Sequence, residues 1–278
     1  MTSTTYRAAS VHGGASIAYE DHGTAELGTL VLLHSLGADG RMWDGCLESL
    51  ARDHRVIVPD TRGHGVSGPA PTSSVDEWVD DLDSVLDAAE VDTAVLVGVS
   101  LGGIQALSYA AAHPGRVVGL VIADSFVALM PEIAQAKIHY LCDQARRQSM
   151  DEVAAQYIAD TFQRPYPDGA ESVRRAFAAM DSVSYLAAVE ACFGAQIKDR
   201  LSNVIAPTLV LWGDRDTKTP RALSEQIVAG VEDARLAVVP DAGHLSNVDN
   251  PAGFVGELTV FTAECYSRPA RLRAEGAN

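Results

Sequence analysis

A serine between two glycines stands where an apolar run gives way to a helical pattern. The segment Gly98-Val99-Ser100-Leu101-Gly102 has the pattern of a nucleophile elbow, a tight turn from a buried strand into a helix. Side chains two positions either side of the serine would collide in such a turn, and glycine removes the collision. Because the turn exposes the serine oxygen at the C-terminal edge of a sheet, we predict that Ser100 is a nucleophile.

A serine hydroxyl is a poor nucleophile unless a base takes its proton, and the chain offers eight histidines for that role. His34 and His64 each follow a predicted strand, but both precede the serine, whereas the expected chain order is serine, acid, histidine. His244 follows the last predicted strand and precedes a helical pattern, so we predict that it is the base. Nothing places the others at that edge: His12, His22, His54, His113 and His139.

A carboxylate should orient the imidazole, and it should come from a strand end between the serine and the histidine. Asp124, Asp214 and Asp216 all lie just after predicted strands in that interval. A loop must leave its strand before its carboxylate can turn back toward the histidine, which favours Asp216. Asp124 and Asp214 stay as alternatives.

Acyl transfer through a serine also needs two donors for the negative oxygen of the tetrahedral intermediate. We predict the backbone N–H of Leu101, directly after the nucleophile, and that of Leu36, in the loop after the first predicted strand. This chemistry requires no metal and no organic cofactor. The four cysteines lie far apart without zinc spacing, so we expect neither group.

Six short runs rich in Val, Leu and Ile predict strands that are buried on both faces. They are Leu30–His34, Val56–Val58, Ala94–Val99, Val117–Ala123, Thr208–Trp212 and Arg235–Val239. Helical patterns alternate with them, so we predict an α/β fold with a mainly parallel sheet flanked by helices. Val75–Glu90 is one such helix, and its acids, Asp81 among them, are expected to form a solvated face.

Residues 125–205 break this alternation, because they show alanine-rich helical stretches and no buried strand. We predict a core formed by residues 1–124 and 206–278, with 125–205 inserted as a helical cap. Five arginines of the cap are candidates for binding a substrate carboxylate, although each also fits a surface charge. They are Arg146, Arg147, Arg164, Arg174 and Arg175.

The charge balance narrows the possible partners. The chain has 278 residues, 21 Lys plus Arg against 37 Asp plus Glu, and a net charge of −16, which argues against nucleic acid or an anionic membrane as a partner. No apolar run approaches the roughly 20 residues that span a bilayer, and the first ten residues lack the pattern of a signal peptide. Separate cysteines fit free thiols in a reducing compartment, so we expect a cytoplasmic protein.

Five segments together resemble the α/β-hydrolase superfamily over nearly the whole chain: LLHSLG, DTRGHGVSG, GVSLGG, WGDRDTKTP and AGHLSNVDNP. The stretch HSLGADGRMWD is similar to 3-oxoadipate enol-lactonases and related small esterases, with His34-Ser35 where many relatives have His-Gly. In that family the acid usually stands three residues after the glycine that ends its strand, which again selects Asp216. The resemblance implies a helical cap, a Ser-His-Asp triad and a small-molecule ester or lactone as substrate.

Three other functions fit the same residues and stay open. Carbon–carbon bond hydrolases of ring-cleavage products use this triad, and cofactor-free peroxidases also resemble the chain, including Trp43 near the oxyanion loop. The third is a ligand-binding receptor on a hydrolase scaffold. The sequence leaves open which ester or lactone is bound, which cap residues bind it, and the oligomeric state.

Overall fold

An eight-stranded sheet forms the centre of the fold in the computed structural model, which describes residues 6–11 and 16–267. Its strands are β1 (Tyr6–Ser10), β2 (Ser16–Gly23), β3 (Thr29–Leu33), β4 (Arg55–Pro59), β5 (Ala94–Val99), β6 (Val117–Ala123), β7 (Thr208–Gly213) and β8 (Ala234–Val239). Their order in space is β1-β2-β4-β3-β5-β6-β7-β8, and the pairs from β4 to β8 are all parallel. The predicted α/β class with a mainly parallel sheet is therefore confirmed.

The first two strands were not predicted from the sequence. They form an antiparallel extension, with β1 on β2 and β2 on β4. β1 is an edge strand whose residues are mostly exposed, and β2 carries Glu20, Asp21 and His22. Neither strand therefore shows the continuous apolar run by which the other six were found. His12 lies outside the described residues.

Helices cover both faces of the sheet. The α-helices are α1 (Asp44–Leu50), α2 (Val75–Ala88), α3 (Leu101–Ala112), α4 (Pro131–Arg147), α5 (Met150–Thr161), α6 (Ala170–Ala179), α7 (Ser182–Gly194), α8 (Arg221–Gly230), α9 (Ser246–Asp249) and α10 (Pro251–Ser267), and short 3₁₀ helices span Gly40–Trp43, Gly65–Ser67, Pro114–Arg116 and Lys198–Asn203. Helices α2, α3 and α8 pack on one face, and α1 and α10 pack on the other.

The central strand β5 shows why these runs are apolar without alternation. Leu96 packs into the core on the α3 side, whereas Val95 and Val97 pack into the core on the α10 side. All three are fully buried. Burying such a side chain contributes about 1.5–3 kcal/mol, so both faces of the strand favour apolar residues.

Between β6 and β7 the chain forms the four helices α4 to α7. The segment leaves and returns at one place, because the Ile197 N–H donates to the Val127 carbonyl at 2.9 Å. Local sequence starts two of these helices: Ser149 and Glu152 form a capping box at α5, and Asp181 accepts the Ser184 N–H at the start of α7. The division of the chain into core and cap stays a prediction.

No single helix among the described residues is long and apolar enough to cross a bilayer. Helices α6 and α7 reach that length and hydropathy only when taken together, and their axes are bent by 110°. All four cysteines are buried. The cytoplasmic location stays a prediction.

One acid of α2 does not belong to a solvated face, and the expectation for Asp81 was wrong. Asp81 is buried, and the Arg62 guanidinium donates to both of its oxygens, from Nε at 2.6 Å and from Nη2 at 2.7 Å. Arg62 also pairs with Glu77. The partner comes from the loop after β4, which helical periodicity cannot reveal.

We expect Asp81→Asn to lower the free energy of unfolding by about 2 kcal/mol, because the mostly buried Arg62 loses a charged acceptor but keeps Glu77. Asp80→Asn is the matched control, since Asp80 is its exposed neighbour on the same helix. It should change the free energy by less than about 0.5 kcal/mol. Urea denaturation measures both, and equal effects would contradict the buried ion pair.

Candidate active site

The turn at Ser100 is strained and is held by close backbone contacts. Ser100 has φ +55° and ψ −114°, in the positive-φ region that residues with side chains rarely adopt. A Cβ on Gly98 would lie 2.1 Å from the Gly102 carbonyl oxygen, and a Cβ on Gly102 would lie 2.2 Å from the Leu33 carbonyl oxygen. Both glycines are therefore required by the close approach of β3, β5 and α3.

Three predicted residues come together beside this turn. The Ser100 Oγ lies 3.0 Å from His244 Nε2, and His244 Nδ1 lies 3.0 Å from Asp216 Oδ2. Ser100 and His244 are each 7% exposed and Asp216 is 5% exposed. They come from the ends of β5, β8 and β7, at the edge of the sheet where the carboxyl ends of parallel strands meet.

Groups of the loop after β7 fix the carboxylate of Asp216 beside the imidazole. Its Oδ1 accepts the backbone N–H groups of Lys218 at 2.7 Å and Thr219 at 3.0 Å, and its Oδ2 accepts the Thr219 hydroxyl. Burial alone would raise the pKa of Asp216, but His244 and these hydrogen bonds hold that pKa below its ordinary value. An ionised carboxylate only accepts, so Nδ1 of His244 carries the proton and Nε2 is free to accept one.

The two alternative acids lie elsewhere. Asp124 accepts the Gly213 N–H at 2.8 Å and the Ser246 N–H at 3.2 Å, so it joins the end of β7 to the loop that carries His244. Burial and the charge of Asp216 raise the pKa of Asp124 well above its usual range. Asp214 is exposed and accepts the Ala242 N–H at 3.3 Å. Among the described residues, neither carboxylate forms a hydrogen bond with His244.

His34 sets the direction of one predicted oxyanion donor. The Thr61 N–H donates to His34 Nε2 at 2.9 Å, so Nδ1 carries the proton and donates to the Ser35 carbonyl at 2.8 Å. The Ser35 carbonyl and the Leu36 N–H belong to one trans peptide, in which the two groups point in opposite directions. The Leu36 N–H therefore points away from the His34 ring. Leu36 lines a cavity together with Ser100 and His244.

The second predicted donor, the Leu101 N–H, belongs to the first residue of α3. The first N–H groups of a helix have no acceptor within the helix, and its positive end favours an anion there.

The cavity beside Ser100 has a volume of about 280 Å³. Most of its wall comes from helices α4 to α7 and from the segment that leads into them, and much of that wall is apolar. Its apolar and aromatic lining residues include Phe126, Leu129, Leu141, Val153, Tyr157, Phe177, Tyr185 and Phe193. A site with these walls fits a small organic molecule that reaches Ser100 with one polar end.

The charged residues of this wall were missed by the sequence analysis. None of the five cap arginines lines the cavity, and Arg174 and Arg175 pair with Glu171 instead. Lys137 and Lys218 line it. The available signal was the rarity of lysine, since the sequence contains three, at positions 137, 198 and 218.

Trp43 is fully buried, packs against Phe254 at 5.8 Å between ring centroids and is not part of the cavity wall. Among the described residues, no group of three His, Cys, Asp or Glu side chains is arranged to hold a metal ion. The expectation that the chain uses no metal or cofactor stays a prediction.

The model of the alpha/beta hydrolase family matches residues 30–257, which is more than half of the chain. The chain belongs to the α/β-hydrolase family. The curated relatives of this hydrolase include 3-oxoadipate enol-lactonase 1 of Acinetobacter baylyi, 25% identical over 89% of this chain and 93% of the relative. The predicted resemblance is thereby confirmed.

Other similar proteins are named for other activities or only as hydrolases. The 2-succinyl-6-hydroxy-2,4-cyclohexadiene-1-carboxylate synthase of Escherichia coli is 29% identical over 85% of this chain and 94% of that protein. The crystal structure of a hydrolase from Pseudomonas aeruginosa superposes with a TM-score of 0.84 at 32% identity, covering 92% of this chain and 98% of that one. Family membership therefore establishes the fold and a hydrolase scaffold, while the substrate has to be argued from the site.

We expect Gly98→Ala to destabilise the hydrolase by more than about 3 kcal/mol or to abolish folding, because the new Cβ meets backbone atoms that cannot move independently. Gly256→Ala is the control, since nothing lies within 4 Å of a Cβ at this helical position. It should be neutral or stabilise by up to about 1 kcal/mol. Thermal unfolding followed by circular dichroism compares them, and equal stability would contradict the close contact.

Proposed function

We propose that this α/β-hydrolase cleaves a small carboxylic ester or lactone through an acyl-enzyme intermediate on Ser100. The observation that carries the proposal is the continuous chain of contacts from Ser100 through His244 to Asp216, with 3.0 Å at each step. This chain opens on the cavity, because Ser100 and His244 are both part of its wall. A nucleophile, its base and the group that orients the base are thus adjacent to a space for substrate.

In the proposed first half-reaction, the Ser100 Oγ attacks the substrate carbonyl carbon while His244 Nε2 takes the hydroxyl proton. The negative oxygen receives hydrogen bonds from the Leu36 and Leu101 N–H groups. When the tetrahedral intermediate collapses, the bond to the leaving oxygen breaks and that oxygen takes the proton from His244. With a lactone the leaving hydroxyl stays attached to the acyl group.

The second half-reaction reverses these roles. His244 removes a proton from water, the water oxygen attacks the acyl carbon, and Ser100 leaves with the proton returned by His244. Asp216 stays ionised throughout and stabilises the imidazolium that forms twice. These steps involve only groups of the protein and water, which is why no cofactor is invoked.

The alternatives named above differ from this proposal in the bond that is cleaved, in the second substrate or in whether the bound molecule is released unchanged. The relative named as a synthase shows that similar chains carry other names at comparable identity. Trp43, which suggested a peroxidase, makes no contribution to the cavity wall. Hydrolysis of an ester or lactone needs no chemical group beyond water and the residues that surround Ser100.

Proton release during incubation with a panel of small esters and lactones tests the proposal. We expect the wild-type enzyme to hydrolyse at least one of them and Ser100→Ala to be slower by about 10⁴-fold or more, because no nucleophile remains. The melting temperature of Ser100→Ala should stay close to that of the wild type, which separates lost chemistry from lost fold. Retained turnover in Ser100→Ala, or no turnover of any ester or lactone by the folded wild type, would contradict the proposal.

Asparagine substitutions separate the three candidate acids. Asp216→Asn should lower kcat by about 10³–10⁴-fold, because an amide no longer holds the imidazole in the required tautomer. Asp214→Asn should leave kcat within about twofold, since Asp214 is exposed. Asp124→Asn should lower the melting temperature, because one of two N–H groups then faces an amide NH₂, a loss of about 1–3 kcal/mol. Ester turnover and thermal unfolding of all three variants give the answer; a large kcat loss in Asp214→Asn would exclude the assignment.

A further inference from the structure

The cavity of this strongly acidic chain is lined by two of its three lysines. The net charge is −16, and 18 of the 21 basic residues are arginines, which is the total less the three lysines. Lys137 on α4 and Lys218 in the loop after β7 are part of the wall, whereas Lys198 is exposed elsewhere. No arginine lines the cavity within the described residues. The cations of the wall are therefore both flexible ammonium groups.

Aromatic rings of the same wall hold both ammonium groups at the cavity. The Nζ of Lys218 lies 4.2 Å from the centroid of the Tyr157 ring, and the Nζ of Lys137 lies 5.5 Å from the centroid of the Phe193 ring. Tyr157 and Phe193 both line the cavity. Cation–π contacts of this kind fix the direction of a lysine without neutralising its charge.

Neither ammonium group forms an ion pair with a carboxylate of the described residues. Asp160 is the one acid in the described wall, and its Oδ1 accepts a hydrogen bond from Gln156 Nε2 at 2.8 Å. Two ammonium groups thus share one wall carboxylate, while the ionised Asp216 behind the wall is already bonded to His244 and to the N–H groups of Lys218 and Thr219. Two lysines at one cavity without a carboxylate in an ion pair, in a chain of net charge −16, indicate a site for an anion.

The surroundings of Lys218 compensate its charge only in part. Burial lowers the pKa of Lys218 to about 8, and Lys137 adds to that lowering, while Asp160 and Asp216 oppose it. The groups facing its ammonium are thus Tyr157 and Asp160 from α5, Lys137 from α4 and Asp216 from its own loop. An incoming anion restores to the ammonium part of the stabilisation that burial removes.

We propose that Lys218 and Lys137 form an anion subsite that receives a carboxylate carried by the substrate away from the carbonyl that Ser100 attacks. This inference rests on the proposed function, because it names the class of ester or lactone that is cleaved. The apolar side chains Phe126 and Phe177 suit a hydrocarbon chain between the carboxylate and the ester.

Two nitrophenyl esters of equal chain length test the subsite. Mono-4-nitrophenyl adipate carries a terminal carboxylate, whereas 4-nitrophenyl hexanoate ends in a methyl group. We expect Lys218→Met and Lys137→Met each to lower the ratio of kcat/KM for adipate over hexanoate by about tenfold, the size of a lost charge-assisted contact. Lys198→Met, which removes the lysine outside the cavity, should leave the ratio unchanged. A ratio that stays the same in Lys218→Met overturns the proposal.

The pH dependence supplies a readout that a purely structural lysine would not move. The wild-type ratio should fall as the pH rises through about 8, because kcat/KM reports the free enzyme and Lys218 then loses its charge. Lys218→Arg keeps its charge in this range, so its ratio should stay level from pH 7 to 9. A decline of equal size in Lys218→Arg, or a level wild-type ratio, overturns the role of Lys218.

Binding without turnover separates the subsite from the proposed function. Calorimetry measures adipate binding to Ser100→Ala, alone and combined with Lys218→Met, and we expect the combined variant to bind at least tenfold more weakly. Such a loss, found when the folded wild type turns over no ester or lactone of the panel, supports the subsite and overturns the proposed hydrolysis. Equal adipate binding in both variants, or none, overturns the subsite even if hexanoate is hydrolysed.

Discussion

The strained turn at Ser100 is the constraint on which the rest of the site depends. A residue with φ +55° at the end of the central strand persists only because its surroundings leave no alternative. Those surroundings are backbone against backbone: a Cβ at Gly98 or at Gly102 would lie within 2.2 Å of a carbonyl oxygen. The Ser125 hydroxyl adds a hydrogen bond of 2.6 Å to the Ser100 carbonyl, which ties the turn to the start of the segment that forms the cavity wall.

The other site residues are aligned to this turn by loops that are fixed to one another. Asp124, at the end of β6, accepts N–H groups from Gly213 and from Ser246, so one buried carboxyl spans the loops that carry Asp216 and His244. The acid loop is further closed by the N–H groups of Lys218 and Thr219 on Asp216. Loops fixed in this way hold the Ser100 hydroxyl and the His244 imidazole 3.0 Å apart, the preorganised arrangement that the proposed reaction needs.

Charge is distributed differently on the surface and in the cavity. Two arginines illustrate the pairing of charges outside the cavity. Arg62 forms ion pairs with Asp81 and Glu77, and Arg174 forms ion pairs with Glu171 and Asp151. The lysines of the cavity have no such partner among the described residues and rest on aromatic rings instead. The net charge of −16 therefore does not describe the cavity wall, where two lysines accompany one aspartate.

The sequence by itself determined the features that depend on neighbouring residues. The six apolar strands and the glycine-flanked turn at Ser100 could be predicted locally, because burial on both faces and steric closeness in a turn restrict residue types directly. Choosing Asp216 over Asp214 and Asp124 followed from loop length, and the structure places its carboxylate at the imidazole.

Only the tertiary structure decided the features that join distant segments. It paired β1 and β2 with the sheet although neither is continuously apolar, and it turned Asp81 from a solvated acid into a buried partner of Arg62. It also brought Lys137 and Lys218, which are far apart in sequence, to the wall of one cavity that none of the five predicted arginines lines. Strand pairing, ion pairs and cavity walls depend on which distant segments lie next to each other in the fold. A local pattern of residue types does not contain that information.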